Sequence, residues 1–159
     1  MPEFLFNARP SRAILISLML LSLLGVMDAG YLTATHFLNI RTICLTFSQC
    51  DQVLDSQYAK VFGIPLALLG LLYYLAIFGL AVAFERTKVL EYWVGLMCII
   101  SSGFVFSLYL LYLQLFVIHA ICQYCFISAA ITTLLFLGVT FETFQSYLRG
   151  AEEEKTSTE

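Results

Sequence analysis

Four stretches of this chain are apolar over lengths that a lipid bilayer demands and a water-soluble fold does not. The hydrocarbon core of a membrane takes about 20 residues of α-helix to cross. The first stretch runs from Ala13 to about Phe37, the second from Ile64 to Phe84, the third from Tyr92 to Ile118, and the fourth from about Ile121 to Phe144. The second and third carry no charge. Asp28 interrupts the first and Glu142 lies at the end of the fourth. With 60% hydrophobic and 12% charged residues, the chain has too little polar surface to coat a soluble domain of its size. The expected fold class is therefore all-α integral membrane: a four-transmembrane-helix bundle in one domain, with an amphipathic half-helix at the outer surface.

Arg9 and Arg12 precede the first apolar stretch, as in a secretory signal. That stretch is longer than a signal's apolar region and has no clear A-x-A exit, so it reads as a retained signal-anchor helix. Four spans put both termini on one side of the membrane. Arg9, Arg12, Arg86, Lys88, Arg149 and Lys155 then share that side, while Arg41 and Lys60 lie opposite. Basic residues favour the cytoplasmic face. The expected division is a cytoplasmic N-terminus (1–12), a membrane domain (13–147) whose loop 36–63 is extracytoplasmic, and a cytoplasmic tail (148–159). The acidic residues Glu152, Glu153, Glu154 and Glu159 read as a solvated tail. No basic stripe points to nucleic acid. Tyr92 and Trp93 at one end of the third span, and Tyr109 and Tyr112 towards the other, suit interfacial aromatic belts.

The first loop carries a helical pattern of its own. Asp51 suits a helix cap. Val53, Leu54, Tyr58, Val61 and Phe62 recur on one face, Gly63 suits a helix stop, and Pro65 suits a first helical turn. Together they predict an amphipathic half-helix on the outer surface leading into the second span.

The cysteines carry the chemistry. Cys44 and Cys50 lie in the first loop, and Cys122 and Cys125 form a C-x-x-C at the start of the fourth span. Two complete spans separate the pairs, so both face the same, extracytoplasmic side, where disulfides persist. Cys122 falls at a helix N-terminus, where free N–H groups and the helix dipole favour a thiolate. Cys125 lies one turn deeper, within reach of a membrane-soluble acceptor. A mobile outer dithiol and a fixed inner one make a relay by thiol–disulfide exchange. Two other readings fit the cysteines: a structural zinc site and two static disulfides. Cys98, in mid-span, reads as a packing residue.

Several motifs together resemble the bacterial homologues of vitamin K epoxide reductase. They are Tyr31-Leu32-Thr33, the C-x5-C loop pair, the run Cys50 to Ala59 (CDQVLDSQYA), Phe62-Gly63-Ile64-Pro65-Leu66-Ala67 with Leu69-Gly70, and the final C-x-x-C. The resemblance extends from about Gly25 to Ser128. It implies a four-helix bundle enclosing a quinone (ubiquinone, menaquinone or a relative) near the outer surface of a bacterial plasma membrane. It implies that a separate thioredoxin-fold, DsbA-like partner forms a mixed disulfide with Cys50. Cys44 then exchanges with Cys122, Cys125 passes electrons to the quinone, and Ser56 lies near the quinone head. The implied activity is a thiol:quinone oxidoreductase that supports disulfide-bond formation, with no metal. Two departures stand out. Ala129 occupies a position where animal members carry tyrosine, which argues against the alternative activity, reduction of vitamin K epoxide. The fused thioredoxin domain of some bacterial members is missing, so the partner is expected in trans.

Other residues invite two readings each. Asp28, an acid within a span, is a candidate proton source for quinone reduction; otherwise it is an acid near the headgroups, hydrogen-bonded to a neighbouring helix. His119 either stabilises a thiolate or marks the interface, as His36 does. Arg41 and Lys60 suit docking of an acidic partner or simple solvation. Gly25 with Gly30, and Gly70 with Gly79, are candidates for close helix approach. A few of the 14 Phe and 9 Tyr side chains are expected to line a quinone pocket.

Overall fold

The computed structural model describes residues 10–38, 40, 42, 50–54, 56–61 and 63–157. Arg9, Arg41, Cys44, Asp55, Phe62 and Glu159, invoked above, lie outside the described residues. So do the side chains of Asp51, Val61 and residues 150–157.

Helices α1 (Arg12–Leu38), α3 (Leu66–Thr87), α4 (Leu90–Tyr112) and α5 (Gln123–Ser157) carry the four apolar stretches. A π-helical turn, Leu113–Ile118, extends α4. All four are long and apolar enough to cross a membrane. They pack in a ring, with α1 against α3, α3 against α4, α4 against α5 and α5 back against α1. The chain is an integral membrane protein. α5 continues well past Phe144, through Ser157, so that Glu152, Glu153 and Glu154 of the acidic tail lie on it.

The first loop is more broken than its spacing predicts. A short helix α2 (Cys50–Leu54) is followed by a 3₁₀ turn (Gln57–Ala59) and a two-residue hairpin, β1 (Lys60–Val61) against β2 (Ile64–Pro65). Gly63, at φ +82°, serves the hairpin turn rather than a helix stop. Left-handed backbone there suits a residue without a Cβ. Pro65 sits just before α3, at its cap.

Buried positions on α1 recur as Leu15, Leu18, Ser22, Gly25, Ala29 and Leu32, one stripe at helical spacing. Between them Ile16, Leu20, Leu24 and Met27 point outward, as lipid contact requires. The termini-side half of the bundle is closely packed. There Leu15 and Leu18 meet Ile77, Ala81 and Phe84 of α3, Trp93, Leu96 and Ile100 of α4, and Leu135 and Val139 of α5. Trp93 is only 2% exposed and packs on Phe84 at 5.5 Å, so it belongs to this core and not to an aromatic belt. Cys98, expected in the packing, is exposed on the outer face of α4. At the same end Glu142, 3% exposed, accepts the Ser11 N–H at 2.7 Å and so ties the start of α1 to α5.

Small residues admit large rings where this core gives way to the opposite half. A Cβ on Gly25 would lie 2.4 Å from the Tyr74 ring, and one on Gly103 would lie 2.2 Å from Tyr73 Oη. Adjacent tyrosines of α3 thus wedge against α1 and α4. Gly70 lies against Ala29, whereas Gly79 meets nothing and takes no part in close approach. Gly25→Ala is expected to displace the Tyr74 ring and lower stability by about 1–3 kcal/mol, as overpacking does. Gly79→Ala should leave stability unchanged or raise it by up to about 1 kcal/mol. Thermal unfolding of the two variants in detergent checks the contrast.

Candidate functional site

The site is built around the start of α5. Gln114, 4% exposed in the π-helical turn, accepts the Cys122 N–H through its side-chain Oε1 at 3.1 Å. Its backbone carbonyl accepts the N–H groups of His119 and Ala120. His119 closes the turn in a left-handed conformation, φ 53°, and its side chain is exposed. The chain therefore doubles back within a few residues, and Cys122 is delivered to the cap position of α5.

At that position the Cys122 sulfur receives hydrogen bonds from the Cys125 thiol and from the backbone N–H groups of Tyr124 and Cys125. These donors favour the thiolate. They outweigh the burial and the Asp28 charge that oppose it, and hold the Cys122 pKa down at about 7. Both cysteines are free thiols.

Cys50 is disulfide-bonded. Neither it nor Cys122 has any exposed surface, and with Val53 and Ala120 they form one buried cluster that Leu54, Ile118, Tyr124 and Cys125 flank. Helix α2 thus brings one cysteine of the loop pair against the inner pair. The position of Cys44 lies outside the described residues.

Behind Cys125 the half of the bundle away from the termini opens into a cavity of about 740 Å³. All four long helices and the first loop contribute to its wall, including Cys125, Ser56, Leu32, Leu66, Leu111 and Ala129. Ser56 precedes the 3₁₀ turn and spends its hydroxyl on the Val53 carbonyl at 2.7 Å. Asp28, Tyr73, Tyr74, Ser128 and Thr132 are among the polar side chains on this wall at span depth. Tyr74 Oη bonds Ser128 Oγ at 2.7 Å and Thr132 Oγ1 at 3.0 Å, and donates to the Ser128 carbonyl. Among the described residues, Asp28 Oδ2 and Tyr73 Oη are buried without a hydrogen-bond partner. The Thr132 hydroxyl beside Tyr73 is engaged with Tyr74 and with the Ser128 carbonyl. An apolar chamber with two unsatisfied polar atoms and a thiol on its wall fits a flat apolar ring bearing carbonyl oxygens.

The four-helix membrane bundle with a dithiol at the edge of an apolar cavity defines a membrane redox protein. A profile of the Vitamin K epoxide reductase family matches residues 16–140. The chain belongs to that family and is a membrane oxidoreductase of quinone-linked chemistry.

Sequence reasoning had marked Cys50, Cys122, Cys125, Ser56 and Asp28, and all five lie in the buried cluster or on the cavity wall. It had not marked Gln114, Tyr73, Tyr74, Ser128 or Thr132. The signal for the tyrosines was the small residue opposite each, Gly103 and Gly25, which only the helix pairing reveals.

The sign of the Cys122 shift gives a direct expectation. Ultraviolet thiolate absorbance of the reduced protein, taken as wild type minus Cys122→Ala, should appear as pH rises through about 7. Cys125→Ala removes the largest stabilising donor and should move that rise to higher pH. A thiolate appearing only near the ordinary thiol range in both proteins would contradict the hydrogen-bonding described here.

Proposed function

We propose that the protein is a thiol:quinone oxidoreductase that reoxidises a thioredoxin-fold, DsbA-like partner, and so supports disulfide-bond formation. In this reading the partner's dithiol reduces the Cys44–Cys50 pair by way of a mixed disulfide at Cys50. Cys44 exchanges with Cys122, and the Cys122–Cys125 dithiol reduces a quinone in the cavity. The overall electron count closes: the partner's two thiols become one disulfide, losing two electrons and two protons, and the quinone gains two of each to become the quinol. Both cysteine pairs face the extracytoplasmic side and both termini the cytoplasm, as the distribution of Lys and Arg supports.

The observation that carries the reading is the position of the inner pair. Cys122 packs against Cys50 on one side, while Cys125, one helical turn on, faces the cavity on the other. An inner pair between the outer cysteines and the cavity can take electrons from the outer pair once that pair is reduced, and can then pass them to a quinone. Each exchange begins with a thiolate, and Cys122 is held as one near neutral pH. Because Cys50 is fully buried, α2 has to lift from the start of α5 before a protein partner reaches it. Ser56, on the loop side of the cavity, is the residue of α2's neighbourhood that would meet the quinone head. Ala129 leaves the wall without a phenol at its position, which favours quinone over the epoxide as substrate.

Purified protein with a small dithiol and a short-chain quinone, followed anaerobically by quinone absorbance, tests this. Wild type is expected to turn over and Cys125→Ala to show none. Cys50→Ala is expected to lose turnover with a thioredoxin-fold donor while keeping activity with a small dithiol that reaches Cys122 directly. Equal loss with both donors would contradict the division into outer and inner pairs. Stoichiometric zinc with blocked thiols would contradict the redox reading altogether.

A further inference from the structure

We propose that Asp28 is the proton carrier of the cavity, moving protons between the Cys122–Cys125 pair and the oxygens of the bound quinone. The inference rests on the thiol:quinone reading above and deepens it.

A carboxyl group within a membrane span is expensive, and such groups ordinarily find partners. Asp28 lies more than halfway along α1, on the cavity wall, and its Oδ2 is buried with no hydrogen-bond partner. It is not, therefore, an acid hydrogen-bonded to a neighbouring helix. Nor is it neutralised by a base. The basic side chains on the described wall are His36 and Lys60, both exposed, and the ion pair among the described residues is Lys88 with Glu85, at the other end of α3.

The titratable groups that feel the Asp28 charge are informative. They are Cys122, Tyr124 and Cys125 on α5 and Tyr74 on α3. The carboxyl thus shares the cavity wall with Cys125 and with the hydroxyl network of Tyr74, Ser128 and Thr132. Purely structural packing has no use for an unsatisfied acid there, whereas proton transfer needs a group with a free lone pair facing both donor and acceptor.

The bookkeeping requires such a group. Two thiols closing to one S–S bond release two electrons and two protons, and a quinone becoming a quinol takes up two of each. The electrons pass at the sulfur of Cys125. The protons must reach both oxygens of a ring held in the cavity, and Asp28 is a carboxyl group on the same wall as Cys125. A carboxylate takes the protons lost by the two thiols one at a time and gives each to a quinone oxygen, returning to its starting form after each transfer.

The test uses the full chain in detergent. Protein reduced by a small dithiol and freed of excess is mixed anaerobically with a short-chain ubiquinone, for wild type, Asp28→Asn and Asp28→Glu. Quinol formation is expected to slow roughly 100-fold in Asp28→Asn, in the range of lost acid–base catalysis, and to recover to at least about a tenth of wild type in Asp28→Glu. A second readout needs no quinone. The infrared difference spectrum between oxidised and reduced protein should contain a carboxyl C=O band that Asp28→Asn lacks and Asp28→Glu shifts. Wild-type rates in Asp28→Asn, or a carboxyl region that does not depend on residue 28, would overturn the proposal. Failure of the wild type itself to reduce quinone would instead overturn the thiol:quinone reading, and this inference with it.

Discussion

The capping of α5 by a cysteine sulfur is the interaction on which the rest of this site depends. A helix start leaves backbone N–H groups without partners, usually met by a serine, threonine or aspartate oxygen. Here the acceptor is the Cys122 sulfur, which those N–H groups and the Cys125 thiol stabilise as a thiolate. The same bonds that begin the helix therefore favour the thiolate form of Cys122. Gln114 makes this possible by holding the Cys122 backbone from the π-helical turn. Such π-helical segments are often found at functional sites. In this one the extra turn lets a single glutamine close one helix and position the next.

The bundle divides its labour along its length. Its termini-side half is dry and interlocked, with Leu15, Leu18, Ile77, Leu96, Ile100 and Leu135 essentially without exposure. The opposite half trades packing for a cavity and for polar groups that hydrocarbon would otherwise exclude. Tyr73 and Tyr74 stand at the boundary, each against a glycine of a neighbouring helix. Tyr74 belongs at once to the packed core and to the cavity wall. The rigid half thus fixes the wall of the reactive one. The first loop, made of short pieces, closes the cavity from the side on which the cysteines meet. Its short helix α2 keeps Cys50 buried beside Cys122.

Much of this was legible in the residues. Span length and the absence of charge predict the four long helices, because a bilayer imposes both. The C-x-x-C at the head of the fourth stretch predicts the thiolate position, since the logic of helix capping is local. What the residues did not disclose depends on which helix faces which. Trp93 reads as an interfacial anchor until α3 brings Phe84 against it. Cys98 reads as packing because a uniformly apolar helix carries no sign of its buried face, and the structure turns it outward. Gly63 lies where either a helix stop or a hairpin turn would use a left-handed glycine, and local pattern alone does not choose between them. The role of Gln114 arises from a π-helical turn, for which the sequence holds no periodic signal.

The central claim is that the Cys122–Cys125 dithiol delivers its electrons to a quinone in the cavity beside it. The most direct measurement mixes the fully reduced protein anaerobically with one equivalent of short-chain quinone. It counts the quinol formed and maps the new disulfide by mass spectrometry of the quenched protein at the earliest time. One quinol per chain with the bond first found between Cys122 and Cys125 is the expected result. An unchanged quinone, or a first disulfide that leaves Cys125 as a thiol, would contradict the account.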